Sequence, residues 1–251
     1  MKGVDNQTVV ITGASRGIGL AIARAFVEAG AKVTIIAENE EVGTAASEIG
    51  AMGRQADITD SAAVATVLAA VCPIDVLINN AGLERITPVD DVSCESIALF
   101  RRVIDINITG TAIVTGQALE QMGEGARIIN TASIWGRTVE PLFGAYVASK
   151  HAVVGLTKTW AKELGPRGIR VNGVAPGWVR TEASVRSAQV LATRSGKSEQ
   201  EIIGVVEAAQ ALAGGFMEPD DIVGVYLFLA SDLSNNITGQ TIGVDRGEMP
   251  W

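Results

Sequence analysis

The chain has 251 residues, of which 47% are hydrophobic, and it carries a formal net charge of −8 at pH 7. This composition supports a sizeable core within one α/β domain. The acidic balance and the lack of a basic stripe argue against a nucleic-acid-binding surface or an anionic membrane surface. No run approaches the ~18 apolar residues of a membrane span, so we expect a soluble, cytoplasmic protein.

Short β-branched runs alternate with longer segments of helical pattern from end to end. The predicted strands cover residues 8–12, 31–37, 52–56, 75–79, 126–131, 169–174 and 239–244. The predicted helices cover residues 18–29, 40–50, 60–71, 95–122, 145–164 and 219–231. Short apolar runs without alternation are typical of strands buried on both faces of a parallel sheet. The pattern predicts a Rossmann-like, doubly wound parallel sheet of about seven strands with helices on both faces.

Residues 1–251 form a single predicted domain, because no linker, repeat or low-complexity run interrupts the alternation. Residues 181–217, called the lid below, are polar, helix-prone and without a strand pattern. We expect the lid to lie over the strand ends, where ligands bind in open α/β sheets. Cys72 and Cys94 lack metal-ligand spacing and are predicted to be small buried residues, so no metal site is expected.

A glycine-rich turn joins the first predicted strand to the first helix in "TVVITGASRGIGLAIA". It places Gly13, Gly17 and Gly19 where backbone amides at a helix start can hold a pyrophosphate. Glycines there allow a phosphate to approach the backbone closely. The turn therefore predicts a dinucleotide site.

Further motifs follow in chain order. They are "NNAG" at 79–82, "DINITGT" around Asn107, "INTASIWG" around Ser133, "YVASK" at 146–150 and "PGWVRT" at 176–181. Tyr146 and Lys150 are four residues apart, so a helix places them on one face. Together with the glycine turn, this set resembles the short-chain dehydrogenase/reductase family over essentially the whole chain.

The chemistry of these residues is coherent. A nicotinamide cofactor carries the hydride, and the protein must polarise a C–O bond and move one proton. A tyrosine can move that proton if its pKa is lowered from about 10, and a lysine one turn away favours the phenolate. The resemblance implies that Tyr146 is the general acid/base and that Lys150 lowers its pKa and holds the nicotinamide ribose. It also implies that Ser133 orients the substrate and that Asn107 anchors a water in the proton relay.

The resemblance also implies the cofactor contacts. One set should surround the pyrophosphate and the adenosine ribose: Gly13, Ser15, Arg16, Gly17, Ile18 and Gly19. A second set should read the adenine or line the adenosine side: Asp57, Ile58, Asn79, Ala81 and Gly82. A third set should meet the nicotinamide carboxamide: Pro176, Gly177, Val179 and Thr181. Asn80 is expected to tie strands together, and Asp57 could instead be a helix N-cap residue.

The choice between NAD and NADP depends on the acidic end of the second predicted strand, "IIAENEE". A carboxylate at Glu38 can accept from both ribose hydroxyls and repels a 2′-phosphate. Ala37 occupies the position where NAD-using relatives most often carry Asp, and Arg16 could pair with a 2′-phosphate. We favour NAD over NADP, with a merely solvent-facing charge as the alternative for Glu38.

Substrate contacts are predicted at Trp135, Trp178 and Glu140, with plain packing and a solvated charge as the alternatives. Glu84 and Arg85 could lie at the cleft mouth. Trp251 could dock on a neighbouring subunit, and the resemblance implies a homotetramer.

The leading hypothesis is an NAD(H)-dependent oxidoreductase that interconverts a small secondary alcohol and a ketone. One alternative is an NADPH-dependent 3-oxoacyl-carrier-protein reductase, although the segment "GRTVEPLFGAY" before Tyr146 departs from the usual pattern of those enzymes. Another is a non-catalytic dinucleotide-sensing protein on the same fold. Such proteins typically lose the tyrosine or the lysine, and both are present here.

Overall fold

The computed structural model describes residues 3–250 of the chain. Its strands are β1 (Thr8–Thr12), β2 (Lys32–Ala37), β3 (Met52–Gln55), β4 (Val76–Asn79), β5 (Arg127–Thr131), β6 (Arg170–Pro176) and β7 (Thr241–Val244). They form one sheet of seven strands in the order β3-β2-β1-β4-β5-β6-β7. Every neighbouring pair is parallel, so the predicted doubly wound sheet is confirmed. The order in which strands are added to the sheet reverses between β1 and β4.

Helices connect the strands and cover both faces of the sheet. They are α1 (Gly17–Glu28), α2 (Val42–Ile49), α3 (Ser61–Ala69), α4 (Cys94–Ile104), α5 (Thr111–Ala118), α6 (Gly144–Leu164), α7 (Glu182–Ser195), α8 (Glu199–Ala209) and α9 (Val223–Ala230). A π-helical segment, Asp105–Gly110, separates α4 from α5. The single long helix predicted over residues 95–122 is therefore three consecutive segments.

The core has two layers, one on each face of the sheet. Alternate side chains of β1 enter different layers: Val9 and Ile11 pack with α1, α2 and α9, whereas Val10 packs with α3, α5 and the end of α6. Strands buried on both faces explain why the sequence runs are continuously apolar. In the first layer, the hydroxyl of Tyr226 lies 2.9 Å from Oγ1 of Thr131, so this buried polar group is satisfied.

The lid contains α7 and α8 and lies over the carboxyl end of the sheet. Each helix begins with a capping box: Thr181 with Ser184 in α7, and Ser198 with Glu201 in α8. Ala188 and Val206 of the lid pack into a third apolar cluster, which also contains Trp135, Phe143, Trp178 and Phe216. The lid is therefore helical, and apolar packing holds it to the strand ends.

The two cysteines differ from their predicted burial. Cys72 and Cys94 are exposed, so the prediction of burial is wrong. Cys72 follows the end of α3, and Cys94 begins α4, whose buried face is formed by Ser96 and Val103. None of the helices within residues 3–250 is long and apolar enough to cross a membrane. Trp251 lies outside the described residues.

Candidate active site

The carboxyl ends of the strands open onto one cleft of about 610 Å³ at the point where the strand order reverses. Most predicted site residues line this cleft: Gly13, Ser15, Arg16, Gly17, Ile18, Gly19, Glu38, Asp57, Ile58, Ala81, Gly82, Ser133, Trp135, Tyr146, Lys150, Pro176, Gly177, Trp178, Val179 and Thr181. Three predicted residues are absent from its lining: Asn79, Asn107 and Glu140. The fold thus collects residues from across the sequence at one edge of the sheet.

The side chains of Asn79, the last residue of β4, and Asn80, which follows it, point in opposite directions. Asn79 is buried, and its Nδ2 donates to Oγ1 of Thr115 and Oδ1 of Asn130, each at 2.9 Å. Because side chains alternate along a strand, the Asn79 side chain faces the helix layer, and the cofactor contact of this residue stays a prediction. Asn80 lines the cleft and donates to the carbonyls of Thr12 and Gly13 at 3.2 and 3.1 Å. It ties β4 to β1, as predicted.

The glycine turn fits a pyrophosphate. Gly13 has φ +65°, and a Cβ there would lie 2.6 Å from Cα of Ala81. A Cβ on Gly19 would lie 2.8 Å from Cα of Ala14, so neither position admits a side chain. Arg16, the N-cap residue of α1, provides no side-chain cap for the first amides of the helix. These amides border the cleft and can bind an anionic group.

Arg102, which was not predicted from the sequence as a site residue, lies beside Glu38 and Asp57 at the adenosine end of the cleft. Nη2 of Arg102, in α4, lies 2.7 Å from Oδ2 of Asp57 and 3.6 Å from Oε2 of Glu38, while its Nη1 donates to Oγ1 of Thr59 at 3.0 Å. Burial opposes ionisation of Asp57, but hydrogen bonds from Thr59 and Arg102 outweigh it and lower the pKa of Asp57. The N-cap residue of α3 is Asp60, so the N-cap alternative for Asp57 is wrong. No local sequence pattern points to Arg102.

Tyr146 and Lys150 lie in the first two turns of α6 and border the same part of the cleft. Nζ of Lys150 lies 5.5 Å from the centroid of the Tyr146 ring and donates to the carbonyl of Thr131 at 2.8 Å. Lys150 is only 4% exposed, and this burial lowers its pKa to about 8. The buried end of the cleft therefore contains one cation, held between the tyrosine ring and the end of β5.

The pKa of Tyr146 is raised in this structure. Burial is the main cause, the carboxylate of Glu84 adds to it, and a hydrogen bond with Ser133 opposes it. Burial and Glu84 dominate in this geometry, and the lowering of the Tyr146 pKa by Lys150 stays a prediction. Oγ of Ser133 accepts from the Trp135 N–H at 3.2 Å, at the start of the 3₁₀ turn Ile134–Gly136. This contact fixes the serine beside the tyrosine.

Asn107 lies in the π-helical segment, behind the cleft wall. Its Oδ1 accepts from the Leu83 N–H at 2.7 Å, and its Nδ2 donates to the Leu83 carbonyl at 3.0 Å and to Oγ of Ser149 at 2.9 Å. The side chain thus ties the loop after β4 to the helix that carries Tyr146. Its role as a water anchor stays a prediction.

Aromatic side chains form one wall of the substrate end. The rings of Trp135 and Trp178 meet edge to face at 5.6 Å, and Trp135 meets Tyr146 in the same way at 5.9 Å. Trp178 also stacks on Phe216 of the lid at 5.0 Å. The two tryptophans both line the cleft and pack in the apolar cluster.

Glu140 is partly buried and does not line the cleft. Burial raises its pKa. Burial, then Asp245 and Glu140, raise the pKa of Glu248 to about 7, which places Glu140 near that residue. Glu140 is absent from the cleft lining, and its predicted substrate contact stays a prediction.

Glu84 lies inside the cleft, in contact with the lid. Its two carboxylate oxygens both lie 2.7 Å from Oγ of Ser187 in α7. Burial raises the pKa of Glu84, while Ser187, Arg186 and Arg85 act in the opposite direction. Its position just after "NNAG" indicated the cleft mouth, but nothing in the sequence indicated Ser187 as its partner.

Comparisons with known proteins show what the whole chain is similar to. A family model described as Enoyl-(Acyl carrier protein) reductase matches residues 13–248. Galactitol 2-dehydrogenase of Agrobacterium fabrum is 38% identical, covering 97% of this chain and 98% of that protein. D-beta-hydroxybutyrate dehydrogenase of Rhizobium meliloti is 32% identical, covering 96% and 98%. The structure of a variant actinorhodin polyketide ketoreductase with NADPH superposes with a TM-score of 0.90 at 30% identity, covering 100% of both chains.

The family model spans almost the whole chain, and the relatives match over nearly their full lengths. The glycine turn, the serine and the tyrosine–lysine pair lie in one cleft on a doubly wound sheet. The chain therefore belongs to the short-chain dehydrogenase/reductase family, whose members are oxidoreductases that act on CH–OH groups with NAD or NADP.

Proposed function

We propose that the protein is an NAD(H)-dependent oxidoreductase that interconverts a small secondary alcohol and a ketone, with Tyr146 as general acid/base. The observation that carries the proposal is the shared cleft. Ser133, Tyr146 and Lys150 border one end of it, and the glycine turn borders the other part. Substrate and dinucleotide can therefore meet at the tyrosine.

The bound nicotinamide supplies or accepts the hydride. The proton is handled by the protein. In ketone reduction the hydroxyl of Tyr146 donates to the carbonyl oxygen as that oxygen gains negative charge, and in alcohol oxidation the phenolate takes the hydroxyl proton. The raised pKa keeps Tyr146 protonated at neutral pH, and Lys150 is the nearby cation that stabilises the phenolate.

Ser133 supplies the second contact to the substrate oxygen. Its Oγ accepts from the backbone N–H of Trp135 and also hydrogen-bonds with Tyr146. In the substrate complex its proton would be donated to the substrate oxygen. A donor fixed in this way stabilises charge that develops on the substrate oxygen. Asn107 supports the arrangement from behind by holding Leu83 and Ser149.

The cofactor preference rests on charges at the end of β2. Glu38 lines the cleft there and can accept from the ribose hydroxyls of NAD, whereas it repels a 2′-phosphate. Arg16 could attract a 2′-phosphate, but it lies 3.6 Å from Glu182 and is partly compensated. The actinorhodin ketoreductase structure holds NADPH, so NADP use is the alternative to be tested.

The test is a screen of both cofactors against secondary alcohols, polyols, hydroxy acids and ketones. Turnover is monitored through the absorbance of the reduced nicotinamide. We expect turnover, with a higher kcat/KM for NAD than for NADP. Dinucleotide binding without turnover of any substrate would contradict the proposal and favour the sensing protein.

A second candidate is reduction of a 3-oxoacyl group on an acyl carrier protein. It is favoured by the description of the matching family model and by the similarity to a polyketide ketoreductase. A 3-oxoacyl thioester included in the same screen separates the two. If the thioester is reduced with NADPH far faster than any simple ketone, the carrier-linked substrate is the better assignment.

We also propose that the protein acts in the cytoplasm as a homotetramer, in which α4 to α6 pair between subunits. Ile97 and Phe100 of α4 are each more than a third exposed, which supports an apolar interface there. Light scattering coupled to size exclusion measures the assembly. A monomeric mass at micromolar concentration would contradict this part of the proposal.

A further inference from the structure

The carboxylate of Glu84 lies in the cleft between the reacting centre and the lid. Glu84, Tyr146 and Ser187 all line the same cavity. Ser187 is only 4% exposed, and its Oγ lies 2.7 Å from both carboxylate oxygens. The lid helix α7 thus fixes the direction of an acidic side chain near the catalytic tyrosine.

This carboxylate keeps unused capacity to accept hydrogen bonds. An ionised carboxylate can accept about four. Within residues 3–250, Ser187 is its one hydrogen-bond donor, and no ion pair is formed with it. Arg85 and Arg186 lie close by, but they contact the main-chain carbonyl of Glu84, at 2.8 and 3.5 Å. Their charges favour the ionised carboxylate without occupying its oxygens.

The aromatic wall of the cleft has the contrasting chemistry. Trp135 and Trp178 line the cleft with aromatic rings. An apolar wall accommodates the C–H face of a small molecule, while a few convergent polar groups fix its orientation. A molecule with an apolar face and a hydroxyl-bearing edge therefore matches the two walls.

We propose that Glu84 is a specificity-determining residue whose carboxylate accepts a hydrogen bond from a second hydroxyl group of the substrate. Diols and polyols are then preferred over alcohols with a single hydroxyl group. This assignment rests on the proposed alcohol–ketone activity and narrows its substrate class. Ser187 is a positioning residue, because it holds the carboxylate toward the cleft.

The test compares kcat/KM for 1,2-cyclohexanediol and for cyclohexanol in the wild type, Glu84→Gln and Glu207→Gln. Glu207 is exposed on α8, so its variant makes the same charge change on the lid surface. We expect the wild type to prefer the diol and Glu84→Gln to lower the diol-to-monoalcohol ratio roughly tenfold or more, because a charge-assisted hydrogen bond is lost. Glu207→Gln should keep the wild-type ratio.

Ser187→Ala provides a second variant in case Glu84→Gln fails to bind the dinucleotide. It keeps the charge but removes the donor that orients the carboxylate, and we expect a smaller fall in the same ratio. Two results would overturn the role of Glu84 while leaving the proposed function intact. One is a wild type without diol preference; the other is a wild-type diol-to-monoalcohol ratio in those of the Glu84→Gln and Ser187→Ala variants that still bind the dinucleotide. Absence of turnover with every alcohol and ketone would instead contradict the proposed function, and this assignment with it.

Discussion

The two ends of the cleft differ in solvent exposure, and this difference determines how strongly substitutions at each end affect the enzyme. At the adenosine end, the side chains of Glu38 and Arg102 are 67% and 37% exposed. At the catalytic end, Ser133 is 8% exposed and Lys150 is 4% exposed. Exposed charges are screened by solvent and salt, whereas water cannot replace a buried hydrogen bond. Substitutions should therefore have graded effects on cofactor choice at the first end and large effects on turnover at the second.

At the catalytic end, a large effect is expected for Lys150→Met. The change removes the buried cation beside Tyr146 and leaves the Thr131 carbonyl without its donor. We expect kcat/KM to fall roughly a hundredfold or more, together with weaker dinucleotide binding. Steady-state kinetics and a dinucleotide titration measure both. Lys32→Met, at the exposed amino end of β2, should behave like the wild type; equal losses in both variants would show only general damage.

The next effect concerns the exposed end. Glu38→Arg replaces a carboxylate that repels a 2′-phosphate with a cation that can pair with one. We expect the ratio of kcat/KM for NADP over NAD to rise roughly tenfold, with little change in the better of the two rates. Glu38→Gln should shift the ratio less and in the same direction. Unchanged ratios in both variants would show that Glu38 is only a solvent-facing charge.

Arg102→Ala should act in the opposite direction by a smaller amount. Arg102 compensates Glu38 and Asp57, so its removal makes the adenosine wall more negative and disfavours NADP. We expect the NAD-over-NADP ratio to rise about threefold at low salt and less at high salt. Arg101→Ala, the exposed neighbour on α4, is the matched control. A shift toward NADP in Arg102→Ala would contradict the assigned charge balance.

The smallest effect is expected for the electrostatic interaction between Glu84 and Tyr146. The Glu84 carboxylate contributes to the raised pKa of Tyr146, after burial. Glu84→Gln removes that charge and should lower the pKa, so the phenolate needed for alcohol oxidation forms at lower pH. We expect the rise of kcat/KM for oxidation to shift toward lower pH than in the wild type. A shift toward higher pH would contradict the electrostatic coupling.

The sequence predicted the elements whose pattern is local. The strands lie within two residues of their predicted bounds. Continuous apolar runs in a buried parallel sheet are a strong signal for most of them, whereas β3, an edge strand with the sequence MGRQ, has no such run. Tyr146 and Lys150 were predicted together because their spacing is one helical turn. The glycine turn was likewise contained in one short segment.

Contacts between distant segments could not be predicted in the same way. Arg102 reaches Asp57 across 45 positions of sequence, and Ser187 reaches Glu84 across 103. The burial of the Asn79 side chain was not predicted either, because the motif does not state which face of β4 each asparagine occupies. The rise in the pKa of Tyr146 also depends on its burial and on the nearby Glu84, and both are set by the tertiary structure.

The central claim is that Tyr146 moves the proton in an alcohol–ketone reaction. Its most direct test is Tyr146→Phe, measured by dinucleotide titration and by kcat with a substrate from the screen. We expect dinucleotide binding close to the wild type and a loss of kcat of about a thousandfold, because the ring stays and only the hydroxyl is removed. Tyr146→Phe with wild-type turnover would contradict the account.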